Sequence, residues 1–279
     1  MNITYEKNKI VLKDICGFDL KKTFECGQCF RFYETENGFE GVAHGKLISL
    51  CQDFDSITVT GVTKEEFEST FIKYFDLERD YAEIDRVLSQ DKVLSPIIPF
   101  STGIRILNQE PFETVISFII SASNNIPRIK KIIGLLCENF GERKEYCGKT
   151  YYAFPTPEAI AKLSLSDLAV IRAGFRDKYI LDCAKKIASK SFDIDTLFEL
   201  PYTEAKKTLM TLHGVGSKVA DCALLFSFGF IESFPKDVWI KRILKSFYGV
   251  ETDEGLDFYG YGGIAQQYLF YYARETSLK

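Results

Sequence analysis

One stretch constrains the fold of this chain more than any other: Leu212-His213-Gly214-Val215-Gly216-Ser217-Lys218-Val219-Ala220-Asp221-Cys222. Before it, Ala205, Leu209 and Leu212 have helical spacing, and within and after it Val219, Ala220, Leu224 and Leu225 do too. Between the two sets stand two glycines. Glycine adopts the backbone conformations that end a helix and let the chain double back. Ser217 is positioned to cap the second helix. The stretch therefore predicts a helix, a tight hairpin and a new helix. Such a helix start leaves backbone N–H groups that suit an anion. Lys218 falls on its first turn, with Cys222 four residues on along the same face. Asp237 follows 19 residues after Lys218, behind Phe234-Pro235-Lys236, and opens a further helix.

The remainder divides in two. Residues 1 to about 62 are β-rich, with partial alternation in Lys46–Cys51 and Ser56–Thr60. Phe30-Arg-Phe-Tyr33 and Phe39-Glu-Gly-Val42 flank Asn37-Gly38, a two-residue hairpin signal. At Thr63 the period changes: Thr63-Lys-Glu-Glu66 is a capping box before Phe67, Phe71 and Tyr74. From there helices are expected almost throughout. They run over Glu113–Ser121, from Ile126 to a stop at Gly141, and over Ser166–Ala173, Asp177–Ser189, Tyr202–Leu212, Ser217–Phe228, Asp237–Tyr248 and Gly263–Arg274. The expected fold class is α+β. An N-terminal antiparallel β-sheet domain with flanking helices covers residues 1–95. A mainly helical domain covers 96–279, carries the hairpin at 212–218, and shares its C-terminal helix with the interface.

The formal charge is −4, from 35 Lys and Arg against 39 Asp and Glu. A generally basic nucleic-acid binder is excluded, and any polyanion must be met by a local basic surface. The N-terminus has no signal-peptide pattern, and the apolar stretch near Ala223–Ile231 is too short to span a bilayer, so a soluble intracellular protein is expected. Eight cysteines without a secretory signal favour free thiols. Cys26-Gly-Gln-Cys29 is a lone pair, half of a zinc site. With two histidines, His44 and His213, a histidine-based metal site is not expected.

The hairpin, its lysine and the approach to Asp237 resemble the helix-hairpin-helix (HhH-GPD) DNA glycosylase superfamily. Lys218-Val-Ala-Asp-Cys222 resembles its 8-oxoguanine branch, and the likeness covers nearly the whole chain. It implies a TBP-like β domain followed by the helical glycosylase domain. It also implies a bifunctional DNA glycosylase and abasic-site lyase acting as a monomer on duplex DNA. Lys218 resembles the nucleophile and Asp237 its catalytic partner. A helix N-terminus disfavours a positive charge, which favours the neutral amine a nucleophile needs. By themselves, a lysine beside an anion site reads as a phosphate clamp or a solvated surface group, and an aspartate there as a helix cap.

Gly27 resembles the glycine whose carbonyl accepts the N7 hydrogen of 8-oxoguanine, a hydrogen that guanine lacks; a turn glycine is the plain alternative. Gln266 resembles the residue that reads the Watson–Crick edge, with Phe270 and Cys222 on the two faces of the base. Without the family these are a surface Gln, a core Phe and a core Cys. Asn124 and Asn125 match the segment that fills the gap left by the flipped base. Arg128 and Arg176 match arginines that contact the orphaned cytosine, the alternative being solvated surface charges. Phe175 matches an aromatic wedge. Gly214 and Gly216 amides would meet phosphate, and Trp239 stands where some relatives place a phosphate-contacting histidine. No organic cofactor and no catalytic metal is implied. A structural monovalent cation on the carbonyls of Met210, Leu212 and Val215 is. Three positions depart from the family: His213 replaces a common proline, Ser123 an asparagine and Trp239 the histidine. The sequence leaves the opposite-base preference open. A glycosylase for another base and a non-catalytic DNA-binding module are the competing functions.

Overall fold

The computed structural model describes residues 1–15 and 17–276. Six strands form one antiparallel sheet: β1 (Asn2–Glu6), β2 (Lys9–Lys13), β3 (Phe32–Thr35), β4 (Gly38–Ala43), β5 (Lys46–Gln52) and β6 (Ser56–Thr60), in the order β1-β2-β6-β5-β4-β3. Alternation along β4 and β6 sends Phe39, Ala43, Ile57 and Val59 to one face. There they meet Phe24, Phe32, Phe71, Phe75 and Leu107 in an aromatic-rich core. Two expectations for the sheet shift slightly. Thr35 pairs with Gly38, so the hairpin loop is Glu36-Asn37 rather than Asn37-Gly38. The strand expected from Phe30 also begins later, at Phe32, because Phe30 packs in the helical core.

The capping box at Thr63 forms as expected, with Thr63 Oγ1 accepting from Glu66 N and Glu66 Oε2 from Thr63 N. The rest of the chain is helical apart from one antiparallel pair, β7 (Arg143–Tyr146) and β8 (Lys149–Tyr152). That pair was not expected. Its strands are polar and mostly exposed, so no hydrophobic period marks them, and the only signal is Cys147-Gly148, both with positive φ. Cys16 lies outside the described residues; the other seven cysteines are free. Among the described residues, no helix is long and apolar enough to cross a membrane.

The hairpin joins the helices Tyr202–Leu209 and Ser217–Ser227. The second is buried on all sides from Val219 to Ser227, as a helix apolar around its whole circumference must be. Asp221 is the exception in composition and is fully paired. It accepts from Tyr202 Oη at 2.7 Å and forms an ion pair with Lys206 at 2.7 Å, tying the two helices together. Gly214 has φ +84°, and a Cβ there would stand 2.7 Å from the Tyr179 ring. Gly214→Ala is expected to cost about 2–4 kcal/mol, from backbone strain plus overpacking. Urea unfolding checks this; an unchanged midpoint would show that Tyr179 moves aside freely.

The β and helical parts meet at a buried ion pair, Arg31 Nη1 to Glu113 Oε2 at 3.2 Å. Burial pushes the Glu113 carboxyl from 4.5 up to about 7 against the pull of Arg31. The folded state thus holds this proton more tightly than the unfolded chain. The stability it contributes is present below pH 4.5 and lost as pH rises through about 7. His44 works with the opposite sign, since burial pulls its imidazole down. The stability difference between wild type and Glu113→Gln isolates the glutamate. It is expected to shift against the wild type across pH 4.5–7, and a pH-independent difference would refute the assignment.

Candidate active site

The helix Gly262–Glu275 lies hard against Ser217–Ser227. A Cβ on Gly263 would fall 2.2 Å from Leu225 Cδ1 and 2.9 Å from the Ser233 carbonyl, so only glycine allows this approach. From that contact the two helices carry Gln266 and Phe270 on one side and Cys222 and Lys218 on the other into a common cavity of about 270 Å³. The segment after helix Leu20–Glu25 supplies Gly27 to the same space. Gln28 fixes that segment. Fully buried, it accepts from Leu107 N and donates to the carbonyls of Thr23 and Arg105 at 2.8–2.9 Å. Gly27 has φ +84° and faces the Phe270 ring, whose Cε1 would lie 3.5 Å from a Cβ there.

Lys218 is half-buried. Its Nζ donates to Ser121 Oγ at 3.2 Å and stands 5.0 Å from the Phe118 ring centroid. Ser121 and Phe118 lie on helix Pro111–Ser121, and Phe118 is stacked on Phe226. Burial pushes the Cys222 thiol up to about 11, against the pull of Lys218. Asp237 does two things at once. It caps helix Val238–Ile243 by accepting from Ile240 N at 2.8 Å, and it lines the cavity. Ser217 does not cap its helix: Gly216 occupies that position with extended backbone and offers no side chain, and Ser217 reaches toward Asp221 instead. The first N–H groups of the helix therefore lack a side-chain partner from the cap, which is the arrangement an anion uses.

Asn124, Asn125 and Trp239 also line the cavity. Asn125 caps helix Ile126–Phe140, and Asn124 donates to the Ile120 carbonyl at 3.1 Å. Ser123 between them and Ala122 has φ +49°, a region asparagine enters more readily than serine. Arg128, Phe175, Arg176, Gly214 and Gly216 lie outside the cavity lining. Phe175 is 60% exposed, and Arg128 is exposed. Arg176 is not a solvated surface charge. It is buried, bonds the carbonyls of Ala122, Ser123 and Ala173, and stacks on Phe175 at 4.3 Å. Burial and the nearby charge of Arg128 pull its guanidinium down.

Sequence patterns did not single out Ser121, Phe118 or Gln267 for the cavity; the doublet Gln266-Gln267 was the one visible signal. The Met210, Leu212 and Val215 carbonyls are neutral oxygen donors of the kind a hard cation takes. The Leu212 carbonyl already accepts Val215 N at 3.1 Å and keeps a second lone pair. Among the described residues, no group of three or more His, Cys, Asp or Glu is placed to hold a metal ion.

Two family models match the chain: the N-terminal domain of 8-oxoguanine DNA glycosylase over residues 10–115, and the HhH-GPD superfamily of base excision DNA repair proteins over residues 116–257. The chain is 30% identical to a Saccharomyces cerevisiae N-glycosylase/DNA lyase, across 91% of this chain and 74% of the yeast protein. It superposes on the Clostridium acetobutylicum 8-oxoguanine glycosylase/lyase, solved with double-stranded DNA containing cytosine opposite 8-oxoguanine. The TM-score is 0.95 at 40% identity, over 99% of both chains. A structure of MBOgg1 with a low-affinity DNA ligand gives a TM-score of 0.96 at 43% identity, again over 99% of both chains.

Proposed function

The chain belongs to the 8-oxoguanine branch of the helix-hairpin-helix DNA glycosylases, and on that premise we propose that it excises 8-oxoguanine from duplex DNA and cleaves the abasic strand. The observation that carries this is the convergence of Lys218, Asp237, Gly27, Cys222, Gln266 and Phe270 on one cavity.

The damaged nucleotide leaves the stack and enters the cavity. Phe270 and Cys222 flank the base, Gln266 reads its Watson–Crick edge, and the Gly27 carbonyl accepts the N7 hydrogen. Guanine, having no hydrogen at N7, would leave that carbonyl unpaired, and an unmade bond of this kind discriminates strongly. The Lys218 amine forms a bond to C1′ as the C1′–N9 bond breaks, its electron pair and a proton going to the departing base. Opening of the sugar gives a Schiff base. Loss of a C2′ proton then expels the 3′-phosphate, and water returns the lysine. Asp237 stabilises the positive charge that builds on the sugar as the base departs.

Around the cavity, the hairpin amides at Gly214, Gly216 and Lys218 and the Trp239 indole meet backbone phosphates. A monovalent cation on the hairpin carbonyls would stiffen that turn. Phe175 wedges into the stack, Asn124 and Asn125 fill the vacated space, and Arg128 contacts the orphaned cytosine. Arg176 spends four N–H groups on carbonyls, which leaves one for a nucleotide.

Borohydride trapping on 8-oxoguanine:C, abasic and undamaged duplexes tests the proposal. A covalent adduct is expected on the first two. An adduct on abasic DNA alone would keep the lyase chemistry and assign the pocket to another base.

A further inference from the structure

One buried polar side chain of the cavity lining has no role in the chemistry above. Gln267 follows Gln266 on the helix Gly262–Glu275, is 4% exposed and lines the same cavity. Its Nε2 donates to Gln266 Oε1 at 2.9 Å. Its own Oε1 is buried and, among the described residues, has no hydrogen-bond partner. Buried acceptors are rarely left this way, because an unmade bond is costly. The two cations of the cavity lining are engaged elsewhere: Lys218 donates to Ser121 Oγ, and Arg274 to the Glu25 carbonyl. Among the described residues nothing donates to Gln267 Oε1, and the donor is sought in what fills the cavity. Gln266 and Gln267 lie four and three residues before Phe270, so one helix face presents both amides beside the ring.

We propose that Gln267 is a second base-reading residue, whose Oε1 accepts from the exocyclic 2-amino group of a guanine-type lesion. This rests on the function proposed above. A 2-amino-6-oxo purine carries two adjacent donors, N1–H and N2–H. The bond from Gln267 uses one lone pair of Gln266 Oε1 and leaves the other for N1–H, while the free Gln267 Oε1 takes N2–H. Two neighbouring acceptors thus meet two neighbouring donors. The inter-glutamine bond also fixes which end of Gln266 is an acceptor, so the pair is read as a unit. A base without the 2-amino group leaves Gln267 Oε1 without a donor.

The test compares single-turnover excision of 8-oxoguanine with that of 8-oxohypoxanthine, the same base lacking the 2-amino group, both opposite cytosine. The wild type is expected to excise 8-oxoguanine about ten- to a hundredfold faster. Gln267→Leu is expected to slow 8-oxoguanine more than 8-oxohypoxanthine and bring the two rates to within about twofold. Gln267→Glu, which keeps an acceptor oxygen and loses the donor to Gln266, is expected to retain a preference for 8-oxoguanine. Equal wild-type rates, a preference surviving in Gln267→Leu, or its loss in Gln267→Glu would each overturn the proposal. The wild-type comparison and the Glu variant decide the matter even where Gln267→Leu fails to fold. Absence of excision of either base by the wild type would remove the proposed function, and this inference with it, whereas 8-oxoguanine excision without the 2-amino preference removes this inference alone.

Discussion

Lys218→Gln is expected to bind 8-oxoguanine duplex and release no base, with single-turnover excision lower by about 10⁴-fold or more and no borohydride adduct. Glutamine keeps polar atoms toward Ser121 Oγ, a hydrogen-bond partner of Lys218 Nζ. The ring of Phe118 stays packed on Phe226 and Phe30. Folding should therefore be little changed, and the loss belongs to the nucleophile. Thermal melting and a lesion-DNA binding isotherm establish that separately from rate. An adduct persisting in the variant would place the nucleophile on another amine. If neither protein released a base, and the variant also lost its hold on lesion DNA, a non-catalytic binding module would be the better account.

Asp237→Asn separates two duties of one carboxylate. As a helix cap, asparagine is equivalent to aspartate, so the bond to Ile240 N survives and the melting temperature stays close to wild type. The negative charge does not survive. Removing a preorganised electrostatic group beside a developing charge typically costs about 10²–10³ in rate, and base release is expected to fall by that much. Asp237→Ala should lose the same activity and also about 1 kcal/mol of stability through the cap. Near-wild-type excision in Asp237→Asn would reduce this residue to its cap alone.

Much of the fold was legible because its signals are local. The glycines at 214 and 216, the helical spacing on either side, the capping box at Thr63 and the alternation in β4 and β6 are short-range patterns that the backbone obeys wherever they occur. The pair β7 and β8 escaped because exposed polar strands carry no period. Propensity assigns the cap on the hairpin's second helix to Ser217, and Gly216 takes it instead. The sequence offers Arg176 as a cytosine contact or a solvated charge, and the second reading fails. In the fold the arginine is buried and braces the backbone of Ala122 and Ser123, a contact 53–54 residues away in the chain that no spacing rule anticipates.

The sequence by itself determined the hairpin, the division into a β part and a helical part, and the family to which the chain belongs. These follow from residue types at fixed short separations. Only the tertiary structure decided that Gly27, Lys218, Asp237 and Gln266 surround one cavity, that Ser121 meets the lysine, and that Gln267 carries a buried acceptor with no partner among the described residues. Those facts depend on how closely two helices approach, and that distance is set by a missing side chain at Gly263 against Leu225. Close packing across distant parts of the chain has no local signature, because each side of the contact is an ordinary apolar or glycine position until the other side is placed against it.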